Sequence, residues 1–151
     1  MQEAEESWVP HLLGFILPII TITGIYQGGY WAFSGFVYAL GICPFIDYFA
    51  PERAPVRREV STRAWNGLLY SHALFFYACI AVLLWRANSD GFTIPVVLGG
   101  LSVGIVGGIS GIINAHESGH RKKGSLIWRV ARLNMFMVLY SHFTTEHNHG
   151  H

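Results

Sequence analysis

Three long stretches of the chain contain no aspartate, glutamate, lysine or arginine: residues 7–46, 64–85 and 91–115. A helix needs about 20 mostly apolar residues to cross the hydrocarbon core of a bilayer. The first stretch is long enough for two crossings, and Gln27-Gly28-Gly29 interrupts it near its middle. The sequence therefore predicts four membrane-spanning helices, at residues 9–26, 30–49, 65–85 and 92–113.

The composition agrees with an all-α, polytopic transmembrane helix bundle. Charged residues make up 13% of the chain, whereas soluble domains carry about 25%. A soluble protein with several buried helices is disfavoured, because 151 residues can hardly bury three such stretches. The formal net charge of +1 gives no indication of a nucleic-acid partner. Cys43 and Cys79 both lie in apolar runs, which predicts buried thiols rather than a disulfide.

The basic residues predict the orientation of the spans. Nine of the ten lie on one side of a four-span chain, and an excess of basic residues marks the cytoplasmic side of a membrane. The side with the excess also carries both histidine clusters described below, so these clusters are expected to face the cytoplasm. The nine residues are Arg53, Arg57, Arg58, Arg63, Arg121, Lys122, Lys123, Arg129 and Arg132, and the exception is Arg86.

The fourth predicted span is rich in glycine, and Gly104 and Gly108 form a GxxxG pattern. Small residues let helix backbones approach closely in lipid. We expect this pair to pack within one subunit rather than to form a dimer face. Close packing of this span would hold the segment that follows it, Asn114-Ala115-His116, rigidly.

The first histidine cluster is His116-Glu117-Ser118-Gly119-His120, which matches the pattern HExxH. On a helix, His116 and His120 lie on one face, with Cβ atoms roughly 6 Å apart, so both imidazoles can reach one metal ion. The pattern by itself fits a zinc protease with Glu117 as general base. It also fits two solvated histidines at a helix end.

The second cluster repeats the spacing, because His147 and His151 are four residues apart, with His149 between them. Residues 126–141 join the clusters. They are apolar but contain charges, which predicts a helix at the membrane interface or one that dips back into it. The alternatives for the cluster are a solvated tail, a loose metal-binding tract and a cloning remnant.

Residues 114–123 and 140–151 together resemble the two histidine boxes of the integral-membrane alkane 1-monooxygenase family, which read like NTxHExxHK and GHFxxEHxxGHH. Residues 44–47, Pro-Phe-Ile-Asp, are similar to a PLLD-type segment of that family. The resemblance implies a non-haem di-iron oxygenase with a six-helix membrane domain. It implies terminal hydroxylation of medium- or long-chain alkanes to 1-alkanols with O₂. Rubredoxin, reduced by an NAD(P)H-dependent reductase, would supply the electrons.

Four histidines match the family's iron ligands. His116 and His120 match the first box, and His147 and His151 match the first two histidines of the second. His149 occupies a variable position, so the resemblance does not make it a ligand. The two iron ions would share a site that this chain encodes only in part.

Three further residues match positions beside the ligands. Glu117 and Glu146 are expected to orient an imidazole or to accept its N–H, and a solvated surface charge is the alternative for each. His142 matches the histidine of the GHF segment. It could support the ligands or be a hydrogen-bonded core histidine.

The resemblance also implies a substrate channel in the membrane. Ala39, in the second span, falls where that channel is expected to run, and a small residue there would leave room for a longer alkane. His72 lies within the third span, where ionisable side chains are costly and are often functional. A neutral His72 bonded to a neighbouring helix is favoured over a channel-lining role.

The chain departs from the family pattern after His151, because the third histidine of the second box and the later boxes are absent. Residues 1–151 are therefore expected to be the N-terminal part of one membrane-embedded di-iron oxygenase domain. They hold about four of six spans, and the incomplete site is expected to be inactive alone. A bacterial inner membrane is the expected location.

Other classes remain open. A fatty-acid desaturase, a fatty-acid hydroxylase or a xylene-type monooxygenase would also use histidine boxes, although their second box usually reads nearer HxxHH. An intramembrane zinc metalloprotease would use HExxH but would need no second histidine cluster. A membrane protein that binds metal without catalysis is a further alternative.

Overall fold

The computed structural model describes residues 9–50, 62–143 and 146, and every regular element within them is a helix. Four helices are long and apolar enough to cross a membrane. The predicted all-α, polytopic helix bundle is therefore confirmed. The four helices are α1 (Pro10–Gln27), α2 (Gly29–Phe49), α3 (Thr62–Asp90, with Arg63–Asp90 as the candidate span) and α4 (Ile94–Gly119).

The first uncharged stretch divides into two helices at the predicted place. Gly28 and Gly29 have φ angles of 79° and 54°, which glycine adopts far more readily than other residues. The α1 segment begins as a 3₁₀ turn over Val9–Phe15 and becomes α-helical over Ile16–Gln27. The break allows α2 to return antiparallel to α1.

Wider, π-helical stretches interrupt α2 at Tyr38–Ile42 and α4 at Gly107–Ile113. Such stretches rotate the residues that follow them relative to a regular helix, and they are frequent at functional sites. In α4 the regular helix resumes over Asn114–Gly119. The fourth span was predicted to end at Ile113, but the helix continues through the first histidine cluster, so His116 lies on a membrane-spanning helix.

The core of the bundle lies where α1, α3 and α4 meet, around Phe76, Cys79, Ile25 and Val106, all of which are buried. Both cysteines are free thiols, as predicted, although Cys43 is only half-buried. Burial of large apolar side chains contributes about 1.5–3 kcal/mol each in water. In lipid, association depends instead on close van der Waals packing and on hydrogen bonds between helices.

The glycines that pack closely are not the predicted pair. Within the described residues, no other segment comes within 4 Å of where a side chain would begin at Gly104 or Gly108, so the predicted close packing of this pair is not found there. Gly107 and Gly111, one turn apart, instead lie against Phe76 and Val138. The π-helical stretch changes the face that each glycine presents, which a regular helical pattern does not anticipate.

A fifth helix, α5 (Leu126–Met137), follows the first histidine cluster. The Ser125 hydroxyl caps its first turn by accepting a hydrogen bond from the Trp128 backbone N–H at 3.4 Å. A helix was predicted over residues 126–141, and it ends at Met137. It packs against the last turns of α4, where Ala131 and Met135 contact Ala115. Its placement at a membrane interface stays a prediction.

Candidate metal centre

The two histidines of the first cluster lie side by side at the end of α4. The imidazole centroids of His116 and His120 are 5.1 Å apart, and the ring planes meet at 85°. His116 is half-buried, while His120 is exposed at the C-cap of the helix. The spacing of four residues therefore places both rings on one face, as the sequence predicted.

Buried hydrogen bonds fix the last turns of α4 against α3. The Asn114 side-chain amide donates to the Leu69 carbonyl oxygen at 2.7 Å. The Ser118 hydroxyl donates to the Asn114 side-chain oxygen at 3.2 Å. Asn114 and Ser118 are both buried, and the bond between them is buried, while the Asn114–Leu69 bond is partly buried. They hold the backbone on both sides of His116.

The acidic residues next to the histidines make longer contacts. Glu117 Oε1 lies 3.7 Å from His116 Nδ1, and Glu146 Oε2 lies 4.0 Å from His142 Nε2. Both distances are within range for an ion pair but exceed a hydrogen bond. These carboxylates are mostly solvent-exposed. Their expected role in holding an imidazole N–H stays a prediction.

The chain that leads into the second cluster returns to the first. The Phe143 ring centroid lies 6.1 Å from that of His116 and 5.4 Å from that of Tyr140. His142 packs edge-on against Tyr140, with ring centroids 4.6 Å apart. The segment before the second cluster is thus in contact with the first cluster.

The predicted ligands His147 and His151, and the neighbouring His149, lie outside the described residues. Within residues 9–50, 62–143 and 146, no three His, Cys, Asp or Glu side chains are grouped closely enough to hold a metal ion. The donor set at His116 and His120 nevertheless fits iron, because neutral imidazoles bind it well. Two adjacent rings on a fixed helix end supply part of a ligand set.

His72 lies at a cavity that extends to the first cluster. Its Nδ1 is 3.1 Å from the Ser110 hydroxyl, and its ring stacks on Phe15 with centroids 4.3 Å apart. The cavity has a volume of about 400 Å³ and lies between α1, α3 and α4. Its lining includes Gly14, Trp65, His72, Ile113 and Glu117. His72 therefore both bonds a neighbouring helix, as favoured, and faces a cavity.

Ala39 occupies a different place. It lies half-buried in the π-helical stretch of α2 and packs against the core of the bundle. It does not line the cavity next to His72. Its expected role in a substrate channel stays a prediction.

Sequence reasoning missed the polar residues that hold the histidine-bearing helix. Asn114 was read only as part of a motif, and Tyr77 and Asn134 were not assigned a role. Tyr77 donates a hydrogen bond of 2.6 Å to the Asn134 side-chain oxygen, which joins α3 to α5. A polar residue within an apolar segment is the available signal, because lipid makes an unpaired polar group costly.

Comparison with known proteins gives relatives of one kind. The chain is 31% identical to alkane 1-monooxygenase 1 of Alcanivorax borkumensis, over 95% of this chain and 37% of that protein. It is 29% identical to the alkane 1-monooxygenase of Pseudomonas putida, and 28% identical to that of Ectopseudomonas oleovorans. Each of these two alignments covers 95% of this chain and 38% of the relative.

The chain spans little more than a third of the length of these relatives. No family model and no solved structure matches the chain. The similarity runs along nearly the whole chain and is not confined to the histidine clusters. The chain is therefore homologous to part of the curated alkane 1-monooxygenases, and the resemblance to that family is confirmed.

Proposed function

We propose that this chain forms part of a membrane alkane 1-monooxygenase, which hydroxylates the terminal carbon of medium- or long-chain alkanes to give 1-alkanols. One observation carries the proposal. The paired imidazoles of His116 and His120 lie at the end of a membrane-spanning helix, with the entrance to a second histidine cluster packed against them. The similarity to alkane 1-monooxygenases over 95% of the chain supports the same reading.

The proposed ligands are His116, His120, His147 and His151, which would hold part of a centre of two non-haem iron ions. Bound iron supplies the redox chemistry that the activation of O₂ requires. Glu117, whose carboxylate lies 3.7 Å from His116 Nδ1, would orient that ligand. Glu146 and His142 are proposed to support the ligands of the second cluster. Asn114 and Ser118 keep the helix end in place, so that two of the imidazoles are positioned before any metal binds.

The apolar cavity next to His72 is the proposed binding site for the alkane. Its volume of about 400 Å³ lies within the range of known ligand pockets, about 300–1,000 Å³. It extends to Glu117, which is adjacent to a proposed ligand, so an alkyl chain in it could present one end to the centre. An alkane partitions into the bilayer, and a cavity between spanning helices can receive it without a passage through water.

The proposed electron donor is rubredoxin, reduced by an NAD(P)H-dependent reductase. Three exposed basic residues, Arg121, Lys122 and Lys123, follow the first cluster directly. Positive charge beside a site accelerates the approach of an acidic partner. We propose that the protein lies in a bacterial inner membrane, and the excess of basic residues on one side of the four spans, nine of ten, supports a cytoplasmic position for both clusters.

Hydroxylation with isotopically labelled oxygen tests this proposal. Membranes that contain the native gene product are supplied with dodecane, ¹⁸O₂, NADH, rubredoxin and reductase. The products are identified by mass spectrometry. We expect 1-dodecanol with one ¹⁸O atom. His116→Ala and His120→Ala should each abolish it, and Asn88→Ala, which changes an exposed residue at the opposite end of the bundle, should retain it.

The other histidine-box enzymes and the zinc protease give different results in the same experiment. An alkene product or oxidation of a fatty acid in place of dodecane would contradict the proposal and favour a desaturase or hydroxylase. Equal activity of His116→Ala and the wild type would also contradict it. Bound zinc, with no labelled product, would support the metalloprotease instead.

A further inference from the structure

The connection between the two histidine clusters is anchored at several points. The deepest is the hydrogen bond of 2.6 Å from the Tyr77 hydroxyl to the Asn134 side-chain oxygen. Asn134 is fully buried, and its side-chain nitrogen has no partner within the described part of the chain. A buried amide is costly unless it is bonded. The bond to Tyr77 therefore favours one placement of α5 on α3.

The turn after α5 is anchored on α4. Val138 lies in a notch formed by Gly107 and Gly111, where a Cβ atom at either glycine would come within 3.3 Å of the Val138 Cγ1 atom. Such contact is tighter than ordinary packing. Only residues without a side chain leave room for Val138 at this point, so the notch fixes where the chain leaves α5.

The backbone then reverses direction at Leu139, in a conformation that is unfavourable for leucine. Leu139 has a φ angle of 58°, in the left-handed region that residues other than glycine rarely adopt. The next residue, Tyr140, donates a backbone hydrogen bond of 2.8 Å to the Met135 carbonyl oxygen. Such a conformation persists only where the surroundings determine it. Here the anchored helix and the Val138 contact hold the chain before Leu139, and the Tyr140 hydrogen bond to Met135 holds it afterwards.

The reversal directs the chain to the first cluster. Phe143 comes against the His116 ring. Phe143 also packs against the cluster in which Ala131 and Met135 of α5 contact Ala115, the residue before His116. Displacing α5 would therefore move the approach to the second cluster relative to the first.

We infer that Tyr77 and Asn134 are positioning residues, whose hydrogen bond sets the placement of Phe143, and so of the approach to the second histidine cluster, against His116. The inference rests on the proposed function insofar as the two clusters share a metal centre. The bond itself lies in the interior of the bundle, away from the imidazoles. Its effect passes through α5 and the turn at Leu139 to Phe143.

The placement can be measured without metal. The full chain in lipid nanodiscs carries 4-fluorophenylalanine at position 143, and its ¹⁹F spectrum is recorded with and without D₂O. We expect one line that is shifted by the neighbouring His116 and Tyr140 rings and, because Phe143 is half-buried, partly protected from solvent. In Tyr77→Phe, the chemical shift of this line should move towards that of an exposed fluorophenylalanine. Its change on transfer to D₂O should become larger.

Tyr70→Phe is the matched control. It removes a hydroxyl from the same helix, at a residue whose side chain makes no hydrogen bond in the described part of the chain. The ¹⁹F line should stay as in the wild type. A wild-type line in Tyr77→Phe as well would overturn the inference.

The double variant Tyr77→Phe/Asn134→Leu separates position from stability, because it removes both polar partners and leaves no buried amide unpaired. We expect it to melt near the wild-type temperature while the ¹⁹F line remains displaced. If Tyr77→Phe alone does not fold, the ¹⁹F line of the double variant tests the inference in its place. A double variant with the wild-type line would overturn the inference.

Cobalt binding tests the link to the metal centre. Co²⁺ alone is titrated into the same proteins, and its visible absorption reports ligation by imidazole. We expect Tyr77→Phe and the double variant to bind Co²⁺ about tenfold more weakly than the wild type, as for other residues that orient metal ligands. Tyr70→Phe should bind as the wild type does.

The ¹⁹F line tests the positioning, and Co²⁺ binding tests the metal centre, so one can fail without the other. A wild type that binds no Co²⁺ would contradict the proposed metal centre, while the ¹⁹F line would still decide the positioning. A displaced ¹⁹F line with unchanged Co²⁺ affinity would overturn the role of Tyr77 and Asn134 in the centre.

Discussion

The two ends of the helical bundle are held together by different interactions. At the end away from the histidines, the Arg86 guanidinium packs over Gly28 and lies 3.5 Å from the Tyr26 carbonyl oxygen. Arg86 also forms an ion pair of 2.7 Å with Asp90, and Tyr26 stacks on Trp85. These groups are partly exposed, so water and salt compete with the charges.

The end with the histidines is held by neutral groups whose side chains are more deeply buried. Asn114 bonds Leu69, and Ser118 bonds Asn114. A neutral hydrogen bond in a dry interior is sensitive to small displacements, and an unpaired partner is costly there. The interactions at the Arg86 end mainly join neighbouring helices. Those at the histidine end also fix the position of the helix turn that carries His116. Changes at the histidine end should therefore alter metal binding, and changes at the opposite end should alter stability alone.

The largest effect is expected from Asn114→Leu. The change leaves the Leu69 carbonyl oxygen and the Ser118 hydroxyl without their partner, so unfolding should become easier by about 1–3 kcal/mol. Co²⁺ affinity should fall by about 10–100-fold. The exposed Asn88→Leu, on the opposite half of α3, is the control. Unfolding in denaturant and Co²⁺ titration in nanodiscs provide the measurements, and unchanged Co²⁺ affinity would remove the distinction between the ends.

A second effect is expected from Gly111→Val. A Cβ at Gly111 would lie 3.1 Å from Phe76 and 3.2 Å from Val138, and overpacking of this kind costs about 1–3 kcal/mol. Gly108→Val is the matched control, because in the described part of the chain a Cβ at Gly108 would meet no atom of another segment within 4 Å. Thermal unfolding of the two variants should differ clearly. Equal melting temperatures would contradict the notch described for Val138.

Gly28→Ala tests the opposite end. Gly28 has φ 79° and ψ −168°, a conformation nearly restricted to glycine, and Arg86 lies against it. We expect a loss of about 1–2 kcal/mol in stability and no change in Co²⁺ affinity. Gly29→Ala should cost less, because a Cβ at Gly29 would meet no other segment among the described residues within 4 Å. A fall in Co²⁺ affinity in Gly28→Ala would show that the two ends are coupled.

The smallest effect is expected from Asp90→Asn. The Arg86–Asp90 pair is partly exposed, and pairs of this kind contribute about 0–1 kcal/mol. The difference between variant and wild type should shrink as salt is raised, because exposed charges are screened. Melting temperatures at low and high salt measure it. A loss well above 1 kcal/mol would mean that a charged pair fixes this end as firmly as the neutral bonds fix the other.

The spans and the shared face of His116 and His120 were predictable, because the lengths of uncharged stretches and the helical period determine them. The GxxxG pair was not a reliable guide, because the π-helical stretch over Gly107–Ile113 changes which glycines face a neighbour. The bond between Tyr77 and Asn134 joins residues 57 positions apart in the chain. No local pattern specifies such a partner, since it depends on how α5 packs on α3.

The most direct test of the central claim is the iron content of the native gene product. The protein is purified from cells grown with iron, and the iron-to-protein ratio is measured for the wild type, His120→Ala and His151→Ala. If the two clusters hold one centre, both substitutions should lower the ratio, and X-ray absorption should show imidazole ligands on the wild-type iron. A ratio that is unchanged in His151→Ala, or zinc in place of iron, would contradict the claim.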